Sequence, residues 1–253
     1  MKVLGFDTAT RATTVAVFDS DSGVAVERRD DPPPGARPRH TTRLLALVAE
    51  ALEAAGADWT TIDRIAVGVG PGTFTGLRIG VATAHALARA RDIELVGVST
   101  LHALARGAAG PDVGGHGTAG RGPAAADDLE AVMAVIDARR GEVFAAGWLT
   151  AAVAQPDATP LFAARALAPE ALAKSLQADG RAWLAAGDGA VEFRAALEHV
   201  GARIPEPDSG LHRVSAIEHC RLALGLRPEP PEGVQPEYLR LPDAEITLRT
   251  ARP

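Results

Sequence analysis

The strongest constraint on this chain is the order in which its periodic segments arrive over the first hundred residues. Residues 2–6 are a short, mostly apolar run that meets Asp7. Residues 13–18 are apolar and β-branched, and 24–27 form a weaker third run. Their short connections predict an antiparallel meander. Residues 30–38 hold Pro32, Pro33, Pro34, Pro38 and Gly35, the composition of a loop. From residue 40 to 55 the period changes: Leu44, Val48 and Leu52 recur at steps of four with Leu45 beside them, which predicts an amphipathic helix. A strand at 65–69, a helix at 73–90 and a strand at 95–98 follow. Three strands and then helix–strand units predict an α/β domain with a mixed sheet and helices on its faces.

That order is the one found in ribonuclease-H-like folds. A Gly/Ala/Pro-rich stretch at 107–126 reads as a mobile linker. Pattern resumes with strands at 131–136 and 142–149, so a strand ending in an aspartate before a turn and a second strand occurs twice, at Asp7 and Asp137. This hints at an internal duplication. Helices are expected at 169–177, 191–200 and 214–226. A strand at 183–186 runs into Gly187-Asp188-Gly189, and prolines end the last helix before a C-terminal tail.

Charge and cysteine content narrow the function classes. The formal net charge is −6, and only Lys2 and Lys174 are lysines, so the scattered arginines are not read as a phosphate-backbone surface. A single cysteine, Cys220, excludes an internal disulfide and fits a reducing compartment. The first residues do not read as a signal peptide, and the smoothest apolar stretch, 65–77, is broken by Gly68, Gly70, Pro71, Gly72 and Gly76. The expectation is a soluble, cytoplasmic protein that does not contact a membrane.

Gly70-Pro71-Gly72-Thr73-Phe74-Thr75-Gly76 lies between a strand and a helix, where free backbone N–H groups suit an anion. It is not a Walker A loop, because Leu77-Arg78 stands where Lys-Ser/Thr is required. The plainer reading is a tight turn. Gly76, Gly80, Ala84 and Ala88 then form a smooth helix face, suited either to packing on the chain's own sheet or to a partner helix. No two histidines are spaced for a helical metal site and no G-x-S-x-G occurs, so neither zinc nor a serine nucleophile has support.

Several blocks together resemble the TsaB/YeaZ family of bacterial tRNA threonylcarbamoyladenosine synthesis. They are residues 5–10, His40-Thr41, the 70–80 glycine block, 97–101, Asp137-Ala138-Arg139-Arg140-Gly141-Glu142-Val143-Phe144, and Pro236-Glu237-Tyr238-Leu239-Arg240. The resemblance implies an actin-like (ASKHA) fold of two ribonuclease-H-like lobes, the second reduced. The expected division is 1–105 with the helix near 214–226, a linker at 106–126, a second lobe at 127–212, and a tail at 227–253. It implies a non-catalytic subunit that dimerises with the catalytic paralogue TsaD, is joined by TsaE, and supports threonylcarbamoyl transfer to the adenosine beside the anticodon of ANN-decoding tRNAs. The resemblance also implies a homodimer when TsaD is absent, and contact with tRNA only through the complex. The expected partner interface is Leu44, Val48, Leu52, Gly76, Gly80 and Ala84. A vestigial nucleotide site would comprise Asp7, Thr8, Gly70, Gly72, Thr73, Asp137, Gly187 and Gly189. In actin-like ATPases a glycine follows such an aspartate to make room for phosphate; here Thr8 and Ala138 follow. The metal-binding HxxxH of TsaD is also missing, residues 93–106 offering only His102. No tightly bound cofactor and no metal are therefore expected, with ATP or ADP left to the complex interface. The alternatives are a stand-alone actin-like ATPase or kinase and, further off, a metallopeptidase.

Overall fold

A computed structural model of the chain describes residues 1–33, 35–110 and 129–240. The meander forms as expected: β1 (Lys2–Asp7), β2 (Thr13–Asp19) and β3 (Ala25–Asp30) pair antiparallel in sequence order. Then α1 (His40–Ala54) crosses to β4 (Arg64–Gly70), which lies parallel to β1, and α2 (Phe74–Arg91) crosses to β5 (Glu94–Ser99), parallel to β4. The first sheet therefore runs β3-β2-β1-β4-β5.

The second sheet repeats the scheme without its fifth strand. After α3 (Thr100–Ala109), β6 (Ala131–Arg139), β7 (Glu142–Leu149) and β8 (Phe162–Leu167) form an antiparallel meander; α4 (Pro169–Asp179) then leads to β9 (Trp183–Ala186), parallel to β6. The order is β8-β7-β6-β9. The short helices α5 (Asp188–Glu192) and α6 (Arg194–Glu198) follow, then α7 (Ala216–Ala223).

Alternation along the strands builds the layers. Leu4 and Phe6 of β1 face α1 and α2, meeting Leu44, Leu47, Val48, Ala51 and Leu52 from α1 and Val81, Ala84 and Ala88 from α2. Val3, on the other side of β1, faces Ala216, Cys220 and Leu222 of α7 and Ala103 of α3. Leu101, Leu104 and Ala105 of α3 then cover one face of the second sheet, against Val132, Ile136 and Trp148. Its far face is closed by Leu172 and Leu176 of α4 and Leu197 of α6. The long-range contact that starts α7 is Glu27 on β3: its carboxylate accepts the Ala216 N–H at 2.6 Å and the Ser215 hydroxyl at 2.9 Å. A carboxylate at the positive end of a helix ties α7 to the first sheet.

Four segments differ from the sequence expectation. Residues 106–109, assigned to the linker, are the last turn of α3, which ends at Gly110 with a φ of 93°; residues 111–126 lie outside the described residues. The Ser99 side chain accepts the His102 N–H and caps the start of that helix. β8 was missed because Phe-Ala-Ala-Arg-Ala-Leu has no β-branched residue. The helix expected at 191–200 is two short ones meeting at Phe193. In the tail, 227–240 is packed on the body, and 241–253 lie outside the described residues.

Candidate functional site

The β1–β2 turn brings Asp7, Thr8 and Ala9 against the start of α2. Asp7 is 1% exposed. Its Oδ1 accepts the Ala9 N–H at 2.7 Å and its Oδ2 accepts the Thr100 hydroxyl at 2.7 Å. His219 Nε2 of α7 stands 3.0 Å from the same Oδ2, an ion-pair contact rather than an aligned hydrogen bond. The other ring nitrogen, Nδ1, donates to the Ser215 carbonyl at 2.9 Å. Burial alone would raise the Asp7 carboxyl; the contact and charge of His219, with the Thr100 hydroxyl and the Ala9 amide, hold it below the ordinary value of 3.8. Gly68 on β4 supplies the room, since a Cβ there would fall 1.8 Å from Asp7 Oδ2.

Thr8 explains the smooth face of α2. Its hydroxyl donates to the Gly76 carbonyl at 2.7 Å. A Cβ at Gly76 would meet the Thr8 carbonyl at 2.0 Å, and one at Gly80 would meet Thr8 Oγ1 at 2.4 Å. Gly72 is pressed against the Ala9 carbonyl, where a Cβ would come within 2.4 Å, and the same carbonyl accepts the Thr73 N–H at 2.7 Å. One of the backbone donors at this helix start, the Thr73 N–H, therefore serves the chain's own carbonyl. Gly70, at φ 109°, carries the chain into this turn.

The expected partner interface is corrected by this packing. Leu44, Val48, Leu52 and Ala84 are buried in the core of the first sheet, and Gly76 and Gly80 are buried beneath Thr8. Turning each large side chain outward would cost about 1.5–3 kcal/mol, so these residues are not a free contact face. A stripe of small or apolar residues at steps of four shows that a helix is closely approached, not by what. The outward side of the same two helices is different: Leu45 is 59% exposed, and Ala49, Ala82 and Ala86 are also exposed.

Around the second turn, Asp137 Oδ1 accepts the Arg139 N–H at 2.7 Å, and its Oδ2 lies 3.1 Å from the Arg139 guanidinium. The Asp137 and Gly189 N–H groups both donate to Asp188 Oδ1, at 3.0 and 2.9 Å. Gly187 has a φ of 122°, and its N–H donates to His212 Nδ1 at 3.1 Å while His212 Nε2 donates to the Pro205 carbonyl. The structure thus gathers the expected residues into two clusters, Asp7 with Thr8, Gly72 and Thr73, and Asp137 with Gly187 and Gly189. A cleft of about 210 Å³ lies between the sheets, bordered by Thr10, Arg11, Arg29, Ile136, Asp188 and Arg213. Asp188 is reachable by solvent there yet surrounded by protein; burial and the charge of Asp137 push its carboxyl up.

Sequence reasoning missed Thr100, His219 and Asp188. His219 carries no local signal, since it meets Asp7 only through the packing of α7. Among the described residues, no cluster of three or more His, Cys, Asp or Glu side chains is arranged to hold a metal ion. Cys220 is buried beneath Gly5, and burial pushes its thiol up, the setting of an inert packing cysteine.

The family model described as TsaD, tRNA N6-adenosine threonylcarbamoyltransferase, matches residues 32–150. A curated relative, the tRNA threonylcarbamoyladenosine biosynthesis protein TsaB of Escherichia coli (strain K12), is 32% identical over 144 residues, covering 57% of this chain and 53% of the relative. The chain spans about half the length of the curated relatives it matches. The solved structure of YeaZ from Pseudomonas aeruginosa superposes with a TM-score of 0.70 at 28% identity, over 94% of this chain and 99% of that one. The ethanolamine utilization protein EutJ from Carboxydothermus hydrogenoformans gives a TM-score of 0.50 at 11% identity over 89% and 90%, a likeness of fold alone. The two mixed sheets and these neighbours make the architecture α/β and actin-like. Over about half its length in sequence and nearly all of it in fold, the chain is similar to the TsaB and YeaZ proteins.

Proposed function

We propose that this chain acts in tRNA threonylcarbamoyladenosine biosynthesis as a non-catalytic subunit that pairs with TsaD, with TsaE as a further partner and tRNA engaged through the complex. The observation that carries the reading is the state of Asp7. The position that would hold metal–nucleotide in an actin-like ATPase is spent on Thr100 and His219 inside the protein. In the neighbouring glycine turn the Ala9 carbonyl is pressed against Gly72 and takes the Thr73 N–H, which removes one donor a phosphate would use. ATP or ADP then belongs to a subunit interface, not to this chain alone. Among the described residues no helix is long and apolar enough to cross a membrane; the cytoplasmic location belongs to the proposed role on tRNA.

The pairing surface is the outward side of α1 and α2, where Leu45, Ala49, Ala82 and Ala86 form a low, apolar face. Small side chains let a second pair of helices come close, giving a four-helix contact with TsaD, or with another copy when TsaD is absent. The test is Ala86→Arg. On an exposed helix position it should change stability by about 0.5 kcal/mol or less, while an unpaired charge in an interface costs several kcal/mol. The expected variant melts normally, no longer co-purifies with TsaD, and fails to support tRNA modification in the reconstituted system. Retained pairing would move the contact elsewhere, and steady ATP turnover by the purified chain would overturn the non-catalytic reading.

A further inference from the structure

The segment after α7 has a fixed end and a lightly held end. Its start is built into the first sheet: the Glu229 N–H donates to the Leu95 carbonyl at 2.9 Å, and Val234 is buried in the core. It then runs back along α2 in the opposite direction. Glu232 pairs with Arg89, the Val234 carbonyl accepts from His85 Nε2 at 2.8 Å, and the Glu237 N–H donates to the Val69 carbonyl at 2.7 Å. Tyr238 packs on Phe74 with ring centroids 5.1 Å apart and accepts from Arg78 Nε at 3.2 Å. Beyond Tyr238 the segment crosses to the second sheet. Leu239 packs against the cluster beneath it, and Arg240 Nη1 donates to the Ala138 carbonyl at 2.8 Å, 3.4 Å from Glu142 Oε2.

Three sequence blocks that resemblance alone had grouped therefore meet through one strap: the glycine block of α2, the β6–β7 turn, and the Pro-Glu-Tyr-Leu-Arg segment. We propose that residues 229–240 are a clasp that holds α2 and the β6–β7 turn in one fixed relation, anchored at Val234 and closed by Arg240. The first-sheet end rests on buried apolar surface and backbone hydrogen bonds. The second-sheet end rests on the partly buried Leu239 and on the bonds of the Arg240 guanidinium to the β6–β7 turn, whose Glu142 carboxylate is itself exposed, so it is the end that opens. Opening it frees the second sheet to turn against α2 and alters the cleft between the sheets, with no need to unfold either.

The experiment uses the full chain with Arg240→Ala. Cys220 is buried, so spin labels placed by Ser22→Cys in the β2–β3 turn and Lys174→Cys on α4, both exposed and away from the proposed pairing face, report the relation of the two sheets when labelled chain is diluted with unlabelled chain. The distance distribution should broaden in Arg240→Ala and recover partly in Arg240→Lys, whose compact ammonium is a poorer bridge between a carbonyl and a carboxylate. Hydrogen exchange at the Glu237 amide should rise roughly tenfold, as expected for loss of one charge-assisted hydrogen bond. The Glu229 amide should exchange as before. An unchanged distribution with unchanged exchange at Glu237 would overturn the clasp. Equal acceleration at Glu229 and Glu237 would overturn it too, because the segment would then be melting as a whole. Neither readout depends on TsaD, so the result stands apart from the proposed pairing.

Discussion

The turns after β1 and β6 start alike and end differently. Each follows the first strand of its sheet, and in each an aspartate Oδ1 accepts the N–H two residues on at 2.7 Å. After the first, Thr8 is seated on the glycines of an 18-residue helix, and Asp7 Oδ2 is enclosed by Thr100 and His219. After the second, the helix that follows β9 has only five residues, and Asp137 Oδ2 faces an Arg139 guanidinium whose side chain is 57% exposed. One local motif, repeated, became core in one copy and cleft rim in the other. What separates them is what was packed on top.

The sharpest way to break that contrast is to remove the buried charge. Asp7→Asn keeps the shape and leaves His219 facing no carboxylate. Breaking a buried pair from one side typically costs about 3–5 kcal/mol, so urea unfolding at neutral pH should show a loss of that size. The pH dependence has a definite sign. The Asp7 carboxyl is held below its ordinary 3.8 in the folded protein, so its contribution is present above that value and is lost as pH falls through the lower folded one. The wild type should shed this stability below about pH 4, and Asp7→Asn should lack that part of the acid loss. A neutral-pH loss under 1 kcal/mol would mean that the enclosure of Asp7 contributes little.

A steric test of the same contrast is smaller. Gly76→Ala places a methyl 2.0 Å from the Thr8 carbonyl, so α2 or the turn must move; strain of this kind costs about 1–3 kcal/mol. Gly141, in the β6–β7 turn, has open space around it and a φ of 76°. Gly141→Ala should then cost only the left-handed backbone penalty of about 1 kcal/mol. Thermal melts of the two variants should rank in that order, and the reverse ranking would show that the first turn is the looser one.

The same residues show how far the sequence carries. In the first sheet the strand–strand–strand–helix order was legible, as were both aspartate turns, because alternation and turn chemistry are local. α3 was legible too, in Ser99 and the spacing of Leu101, Leu104, Ala105 and Ala108, but was overlooked beside the low-complexity stretch that follows. The side chains that decide the fate of Asp7 were not legible, because Thr100 and His219 reach it only when α3 and α7 settle between the sheets. Gly76, Gly80 and Ala84 announce a close approach, yet a period-four stripe is the same whether a partner helix or the chain's own Thr8 fills it. That ambiguity sent the expected contact face to the inner side of α1 and α2.

The smallest expected effect falls on the second turn. Asp137→Asn retains the Oδ1 that accepts the Arg139 N–H and loses only an ion pair with an exposed guanidinium. Exposed pairs of this kind contribute about 0.2–1 kcal/mol, so the urea midpoint should barely move. The informative readout is Asp188. Its carboxyl is pushed up by burial and by the charge of Asp137, while the residue 137 N–H that supports it survives the substitution. Removing the charge alone should therefore lower the Asp188 titration, followed by side-chain carboxyl NMR. A folded-state carboxyl that is raised opposes stability as pH increases through its unfolded value, so the variant should gain slightly at neutral pH from relief of that term, offsetting part of the lost ion pair. If Asp137→Asn instead costs as much as Asp7→Asn, the second turn is locked as tightly as the first, and the division between core and cleft rim fails.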